Sequence, residues 1–374
     1  MTTTSSDRHR IGIIGVGVIS AVYLRTLAAH PRIDLVAVAD LDMQRATAVA
    51  DAHPGTVALT VDALLARDDI DTVVNLTIPR AHEEVGRRSI AHGKNVYVEK
   101  PLTATLAGAS PLLAEAAARG TLVGCAPDTV LGTGIQTARH AVEAGLIGRP
   151  TAAVATWIAP GHESWHPNPD FYYLPGGGPL LDMGPYYVTS LVQLLGPVVA
   201  VTGAAGRSRD ERVIGSGARA GERIPVEVAT HVTGILEHAG GALSTVVMSF
   251  DGFRSAARPI EVHGEDGTLL VPDPNAFSGP VEHTARGVDG WRELDPAAGY
   301  IDADRGVGLL DMLGAAGIGP STNRASGDLA AHVLEVMMTM LTAADEGRRL
   351  PIDSRPTLPP LVPLTAAAIW RGTE

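Results

Sequence analysis

The stretch Ile11-Gly12-Ile13-Ile14-Gly15-Val16-Gly17-Val18-Ile19-Ser20 decides the fold of this chain. Its apolar first half predicts a buried strand, and its glycines precede a helical pattern. Gly15 permits a tight turn, Gly17 lets the backbone approach a pyrophosphate, and Ser20 is small enough for close helix packing. The turn alone also fits an ordinary strand–turn–helix corner, but this combination predicts a dinucleotide-binding unit.

The next strand indicates which dinucleotide the turn would bind. Residues 34–40 form an apolar run that ends on acid, which is typical of a strand buried on both faces. The carboxylate of Asp40 can accept hydrogen bonds from ribose hydroxyls and would repel a 2′-phosphate. The N–H groups of Val18 and Ile19, at the helix N-terminus, are expected to bind the phosphates. We therefore predict NAD rather than NADP, and we interpret Asp42 as the N-cap of the following helix.

The order of the secondary-structure patterns predicts two kinds of sheet. Strands and helices alternate along residues 10–124, which is typical of parallel strands with right-handed crossovers. Strand patterns then follow one another, interrupted by predicted helices over 129–143 and 179–195 and followed by one over 325–346. The predicted fold class is α/β, with an N-terminal Rossmann doubly wound parallel sheet plus a C-terminal α+β domain that has an open, mostly antiparallel sheet.

Three segments are predicted from these patterns. Residues 1–9 are polar and are expected to be a disordered tail, residues 10–127 to form the Rossmann domain, and residues 128–374 to form the second domain. Residues 272–323 are rich in Gly, Pro and Asp with weak periodicity, so we expect loops there.

Composition argues against several classes of partner. The 374 residues carry a net charge of −12 at pH 7, which argues against nucleic acid and anionic membranes. The single cysteine, Cys125, permits no internal disulfide and suits a reducing cytosol. The N-terminus lacks an apolar signal-like stretch, and no apolar run reaches about 18 residues. We therefore expect a cytoplasmic protein without a membrane span.

Two further motifs carry candidate chemistry. Residues 95–101 predict a strand that ends on Lys100, and Pro101 favours an extended backbone at that lysine. A lysine at the carboxyl end of such a strand points into the crevice where a nucleotide binds; the alternative is a surface lysine. The glycines 176–178 enter a helix on which Asp182 and Tyr186, four residues apart, share a face. Taken alone, a helix cap and a packing aromatic are the simpler interpretations of these two residues.

Four motifs, in their order and spacing, resemble the glucose–fructose oxidoreductase/inositol dehydrogenase family, often written Gfo/Idh/MocA. The resemblance implies a Rossmann domain, a second domain for substrate binding and oligomerisation, and nicotinamide-dependent oxidation or reduction of a sugar, inositol or polyol carbon. The motifs are Gly15-x-Gly17-x-x-Ser20, 75–79 with His82, 93–101, and 176–178 with Asp182. On this basis the predicted cofactor-binding residues also include Thr77, Pro79, His82, Glu99 and Lys100.

The resemblance also implies catalytic roles. Lys100 matches the lysine that hydrogen-bonds the reacting hydroxyl or carbonyl, and Asp182 matches the family's acidic residue. The residue four positions further is usually a proton-exchanging histidine, but here it is Tyr186. A tyrosine has an ordinary pKa of about 10, which a neighbouring ammonium would lower. Lys100 and Tyr186 are thus a candidate acid–base pair; alternatively, Tyr186 shapes the pocket and Lys100 or Asp182 handles the proton.

Candidate substrate-binding residues lie in an aromatic-rich stretch, residues 157–173, of a chain that is otherwise only 4% aromatic. Aromatic faces and polar tips suit a sugar ring, which favours Trp165, His166 and Asn168; the alternative is a loop packed by its own aromatics. Lys100, Asp182 and Tyr186 would share in substrate binding. Asp128 either binds substrate hydroxyls or caps the helix that follows it.

A metal site is not predicted. His162 and His166 are four apart with Glu163 between them, but nearby prolines and a glycine make the helical ligand spacing improbable.

The sequence therefore predicts an NAD-dependent oxidoreductase acting on a sugar or polyol in the cleft between its domains, and a homo-oligomer. The alternatives are an NAD-retaining glycosidase that works by transient oxidation and elimination, and a non-catalytic nucleotide-binding regulator.

Overall fold

The computed structural model describes residues 8–317 and 319–373, which form two compact units. The first unit comprises the described residues within 1–132, 299–331 and 362–374, and the second comprises 133–298 and 332–361. The second predicted domain, 128–374, thus contains segments that belong to the first unit. The predicted tail lies largely outside the described residues, but His9, its last residue, already begins the first strand.

The first unit contains a six-stranded parallel sheet in the order β3-β2-β1-β4-β5-β6. Its strands are β1 (His9–Ile14), β2 (Ile33–Ala39), β3 (Val57–Leu59), β4 (Thr72–Asn75), β5 (Asn95–Val98) and β6 (Val123–Cys125). The connecting helices are α1 (Ser20–Leu27), α2 (Met43–Ala52), α3 (Val61–Leu65), α4 (Pro79–Ala91) and α5 (Leu106–Arg119). This order is that of a dinucleotide-binding Rossmann sheet, so the predicted fold of this part is confirmed. The short strand β3 is absent from the prediction.

The strand order of this sheet fixes where a ligand can bind. The chain proceeds from β1 outward to β2 and β3, and then returns to place β4 on the other side of β1. Open α/β sheets bind ligands at the carboxyl ends of the strands beside such a reversal. Gly15, Thr77 and Lys100 follow the ends of β1, β4 and β5, so one sheet edge carries all three.

The second unit contains a nine-stranded sheet in the order β16-β15-β14-β13-β7-β12-β11-β8-β17. All its neighbouring pairs are antiparallel except β7 with β12. In chain order the strands of this unit are β7 (Pro150–Ile158), β8 (Val198–Gly206), β9 (Glu211–Val213), β10 (Arg223–Pro225), β11 (His231–His238), β12 (Leu243–Ser249), β13 (Ile260–Gly264), β14 (Gly267–Val271), β15 (Val281–Ala285), β16 (Arg292–Leu294) and β17 (Leu350–Pro351). The mostly antiparallel sheet is therefore confirmed, with β9 and β10 as a separate pair.

The remaining helices are α6 (Thr133–Glu143), α7 (Pro179–Leu195), α8 (Val307–Met312), α9 (Gly327–Glu346) and α10 (Ala367–Arg371). The bounds of α7 are those predicted. The predicted helix over 129–143 is instead a 3-10 turn, Thr129–Leu131, followed by α6. Within the described residues, none of the helices has both the length and the apolarity needed to cross a bilayer.

The prediction of loops over residues 272–323 is wrong. That segment contains β15, β16 and α8. In β15 the buried residues are Val281 and His283, and a polar histidine at a buried position hides the apolar–polar alternation in the sequence. Helix α8 is buried throughout but has only six residues, too few for a helical period to be visible.

Candidate active site

The glycine turn after β1 packs against the protein at Gly15 and borders unfilled space at Gly17. A Cβ at Gly15, where φ is +92°, would lie 2.7 Å from the carbonyl of Leu76 and from the nitrogen of Thr77. A Cβ at Gly17 would meet no atom within 4 Å. Only glycine therefore fits at position 15, whereas the space at position 17 is available to a ligand.

The start of α1 presents unpaired donors beside that space. The hydroxyl of Ser20 donates to the carbonyl of Gly17 at 2.7 Å, which holds the turn against the helix. Among the described residues, the N–H groups of Gly17, Val18 and Ile19 have no hydrogen-bond acceptor. Unpaired N–H groups at a helix N-terminus suit a phosphate. The turn therefore fits the pyrophosphate of NAD.

Asp40 holds the same turn from the end of β2. Its carboxylate accepts hydrogen bonds from the N–H groups of Val16 and Asp42, each at 2.9 Å. Because each carboxylate oxygen can accept twice, the side chain retains capacity for ribose hydroxyls. Asp42 accepts from the N–H groups of Gln44 and Arg45, so its predicted role as the N-cap of α2 is confirmed.

His82 is turned into the protein. Its ring is fully buried, with Nδ1 2.7 Å from the carbonyl oxygen of Pro101 and Nε2 3.0 Å from that of Thr77. Burial lowers the pKa of His82, and a neutral ring can donate to only one of these carbonyls. The side chain thus links the turn after β4 to the residue that follows Lys100. This arrangement supports a positioning role for His82 rather than direct contact with a cofactor.

Lys100 is half-buried at the carboxyl end of β5, and its peptide bond to Pro101 is cis. The chain has only one other lysine, Lys94, whose ammonium donates to the carbonyls of Arg67 and Ile70. The preceding residue, Glu99, accepts a hydrogen bond from the buried hydroxyl of Tyr23 at 2.6 Å. The carboxylate of Glu99 therefore contacts protein, while Lys100 stands at the ligand-binding edge.

The structure corrects both interpretations of Asp128. Its side chain is fully buried and accepts hydrogen bonds from the N–H groups of Gly306 at 2.8 Å and Gly308 at 3.1 Å. It therefore caps α8, far along the chain, and makes no side-chain cap to the turn that follows it. Burial raises the pKa of Asp128 to about 6. A carboxylate enclosed in this way is not available to a substrate hydroxyl.

In the second unit, a glycine loop sets the start of α7. Gly176 and Gly178 have positive φ values of 91° and 92°, and a Cβ at Gly177 would collide with the backbone of residues 171–172. Asp182 lies in the first turn of the helix and is partly exposed, whereas Tyr186 is buried one turn further on the same face.

His162 contacts Asp182, a pairing that we did not predict. Nε2 of His162 lies 2.7 Å from Oδ2 of Asp182. The imidazole is surrounded by aromatic rings at centroid distances of 4.3–6.0 Å, those of Trp157, Trp165, Tyr172 and Phe250. The sequence contains a signal for this pairing, because His162 lies in the aromatic-rich stretch just before the glycine loop.

A buried ionic network holds the loop that carries His162. Arg212 donates to Glu163 at 2.9 Å and also pairs with Asp251, and all three side chains are at most 15% exposed. The hydroxyl of Tyr173 donates to Glu163 as well. The carboxylate of Glu163 therefore has a structural role, because it binds Arg212 and Tyr173. Within the part of the chain that the structure describes, no group of three His, Cys, Asp or Glu side chains could hold a metal ion.

The predicted substrate residues lie on this same loop. Trp165 is 59% exposed, and Nδ1 of His166 accepts a hydrogen bond from the N–H of Asn168 at 3.1 Å. Burial lowers the pKa of His166. Arg219 pairs in a bidentate manner with Asp170, at 2.6 and 3.0 Å, and so anchors the loop further. Trp165, His166 and Asn168 thus lie on the same loop as His162. The ring of Trp165 lies 5.3 Å from that of His162 and 5.4 Å from that of His166, measured between centroids.

Comparison with protein families accounts for both units. The model described as "Oxidoreductase family, NAD-binding Rossmann fold" matches residues 9–126, and the "GFO/IDH/MocA C-terminal domain" matches residues 135–270. The chain belongs to the Gfo/Idh/MocA family of oxidoreductases. The resemblance inferred from four short motifs is thereby confirmed.

Two curated relatives of this chain share a name, dTDP-3,4-didehydro-2,6-dideoxy-alpha-D-glucose 3-reductase. The one from Streptomyces violaceoruber is 30% identical over 340 residues, covering 86% of this chain and 91% of the relative. The one from Streptomyces antibioticus is 34% identical over 221 residues, covering 57% of this chain and 65% of the relative. A solved structure, an NAD binding oxidoreductase from Klebsiella pneumoniae, superposes with a TM-score of 0.78 at 22% identity, over 92% of this chain and 99% of that one, which shows a common fold.

As a member of the Gfo/Idh/MocA family, this chain departs from the residue pattern that the resemblance implies at the start of α7. Tyr186 stands where the resemblance led us to expect a histidine, while His162 reaches Asp182 from a different loop. The acidic residue at the head of α7 is thus paired with an imidazole in spite of the substitution.

Proposed function

We propose that this protein transfers a hydride between NAD and a carbon of a sugar, inositol or related polyol. The observation that carries the proposal is Lys100 at the carboxyl edge of a Rossmann sheet whose glycine turn is open to a pyrophosphate. The names of the two Streptomyces relatives support a keto-sugar as the oxidised partner, and make a nucleotide-linked keto-sugar the first to try.

The roles of the residues follow from their chemistry. NAD, when bound by the glycine turn and Asp40, would supply the hydride acceptor, or in the reduced form the donor. The Lys100 ammonium would polarise the reacting oxygen, and the hydroxyl of Tyr186 would exchange its proton. Asp182 would accept hydrogen bonds from neighbouring sugar hydroxyls, and Trp165 would offer its exposed ring to the sugar's C–H face.

Self-association is a further part of the proposal. Val154, Ile235 and Leu243 are exposed on the neighbouring strands β7, β11 and β12, which supports a homo-oligomer that uses the open face of the nine-stranded sheet.

The preference for NAD over NADP is expected to depend on the charge of Asp40. In D40N the side-chain oxygen still accepts a hydrogen bond from the turn, but the charge that repels a 2′-phosphate is gone. We expect the ratio of kcat/KM for NADP to that for NAD to rise about tenfold or more. The measurement is steady-state kinetics with both cofactors. D51N, an exposed aspartate on α2, is the matched control, and an unchanged ratio in D40N would count against the assignment.

A steady-state screen tests the reaction itself. NAD is offered with sugars, inositols and glycosides, and NADH with keto-sugars, inososes and dTDP-linked keto-sugars, and the absorbance of NADH is followed. We expect net, stoichiometric change with at least one of them. Glycoside cleavage without net change in NADH would favour the NAD-retaining glycosidase, and NAD binding without any turnover would favour the regulator.

A further inference from the structure

We propose that His162 is a positioning residue for the reaction: its Nε2–H group orients Asp182 and holds it as a carboxylate, so that Tyr186 rather than Asp182 exchanges the proton. This inference rests on the proposed function. It gives a structural reason for choosing Tyr186 over Asp182 as the acid on α7, and it assigns a role to a residue outside the predicted site.

The first step is the geometry of the contact. The distance of 2.7 Å between Nε2 of His162 and Oδ2 of Asp182 is that of a strong hydrogen bond to a charged group. Asp182 lies in the first turn of α7, a 17-residue helix whose N-terminal partial positive charge favours the carboxylate form. A carboxylate can only accept, so Nε2 of His162 is the donor.

The second step is the surroundings of the pair. The side chains of His162 and Asp182 are only 12% and 14% exposed, and hydrogen bonds to charged groups are stronger where water is largely excluded. Within the described residues, the titratable groups that face the ring include Asp182 from α7 and His166 and Tyr172 from its own loop. The uncharged rings of Trp157, Trp165 and Phe250 also pack around it.

The third step is that the fold fixes this position. Gly161, with φ of +99°, leaves no room for a Cβ against Glu163 and Tyr173. On the other side of His162, the side chain of Glu163 is held by Arg212. The imidazole therefore has little freedom to turn away from Asp182, which is what a positioning group requires.

The consequence concerns the proton. Each reduction of a sugar carbonyl consumes one proton at the oxygen, and each oxidation of the hydroxyl releases one. A carboxylate held by His162 has no proton to give and serves as an acceptor for sugar hydroxyls. Of the two candidate groups on α7, the hydroxyl of Tyr186, one turn along the same helix face, is then the one that can give or take the proton.

Two substitutions separate donation from packing. H162Q keeps an N–H donor but loses the ring, and H162F keeps a ring but loses the donor. With the sugar that wild-type protein turns over fastest, we expect H162F to lower kcat about 10- to 100-fold and to shift the acid limb of the pH profile upward. H162Q should retain most of the turnover, and the acid limb of its pH profile should lie where that of the wild-type protein lies. H263Q and H263F, on strand β13 of the same unit, are the matched controls.

Other results overturn the inference. Normal turnover in H162F, or equal loss in H162F and H162Q, would show that donation to Asp182 is not what matters. Nitrogen-15 NMR of histidine-labelled wild-type protein, assigned with H162Q, gives a second readout that needs no substrate: we expect the proton of His162 on Nε2, and a ring protonated only on Nδ1 would contradict the inference. Absence of turnover by wild-type protein would instead overturn the proposed function.

Discussion

Replacing Lys100 by alanine is expected to lower kcat about a thousandfold while leaving the affinity for NAD unchanged. The ammonium stands at the carboxyl end of β5, where a bound nicotinamide would place the reacting carbon, and the glycine turn that binds the pyrophosphate follows a different strand. The substitution therefore removes the group that polarises the reacting oxygen and leaves the phosphate-binding N–H groups in place. Steady-state kinetics and calorimetric titration with NAD measure the two effects separately.

Controls for this experiment follow from the lysine content of the chain. K100R keeps a positive charge but spreads it over a planar group, so we expect only partial recovery of kcat. The other lysine, Lys94, is buried and donates to two carbonyls, so K94A should lower stability. Turnover by K100A close to that of wild-type protein would remove Lys100 from the mechanism.

The two glycines of the turn are expected to respond in opposite ways. G15A places a methyl group against the backbone of Leu76 and Thr77 at a positive φ, which should lower the free energy of unfolding by about 3 kcal/mol or more. G17A meets no atom of the protein, so its stability should change by no more than about 0.5 kcal/mol. Its methyl group would fill the space for the pyrophosphate, and the Kd for NAD should rise at least about tenfold.

Urea denaturation without NAD and calorimetric titration with NAD test this pair. Each variant serves as the control for the other, because both add one methyl group to the same turn. Equal stability of G15A and wild-type protein would contradict the steric argument. Unchanged NAD affinity in G17A would mean that the dinucleotide does not pass over this turn.

Local signals in the sequence were sufficient for much of the fold. Pro179 at the first helical position and Gly196 just beyond the last one define both ends of α7. Asp42 caps α2 through N–H groups two and three residues away, so neighbouring residues contain all the information. Gly15 was recognisable because a conformation that only glycine adopts easily recurs in this kind of turn.

Contacts between distant residues were beyond such signals. Asp128 caps α8, about 180 residues away. The residues around Asp128 do not indicate whether its carboxylate caps this distant helix or the turn that directly follows Asp128. His162 reaches Asp182 from a loop that Arg212, 49 residues beyond Glu163, helps to hold. The residue types along a sequence indicate which side chains are able to pair. Which of them do pair depends on the tertiary fold, which brings distant residues together.

The transfer of deuterium from NADH labelled at C4 to a sugar carbon tests the central claim most directly. The protein is incubated with each of the two stereospecifically labelled forms and with keto-sugars, inososes and dTDP-linked keto-sugars, and the products are analysed by mass spectrometry. We predict that one labelled form yields a reduced product with a new hydroxyl group and one deuterium on the carbon that was the carbonyl carbon. An equal amount of NAD should be formed. Products without deuterium from both forms, or no consumption of NADH with any of these compounds, would contradict the account.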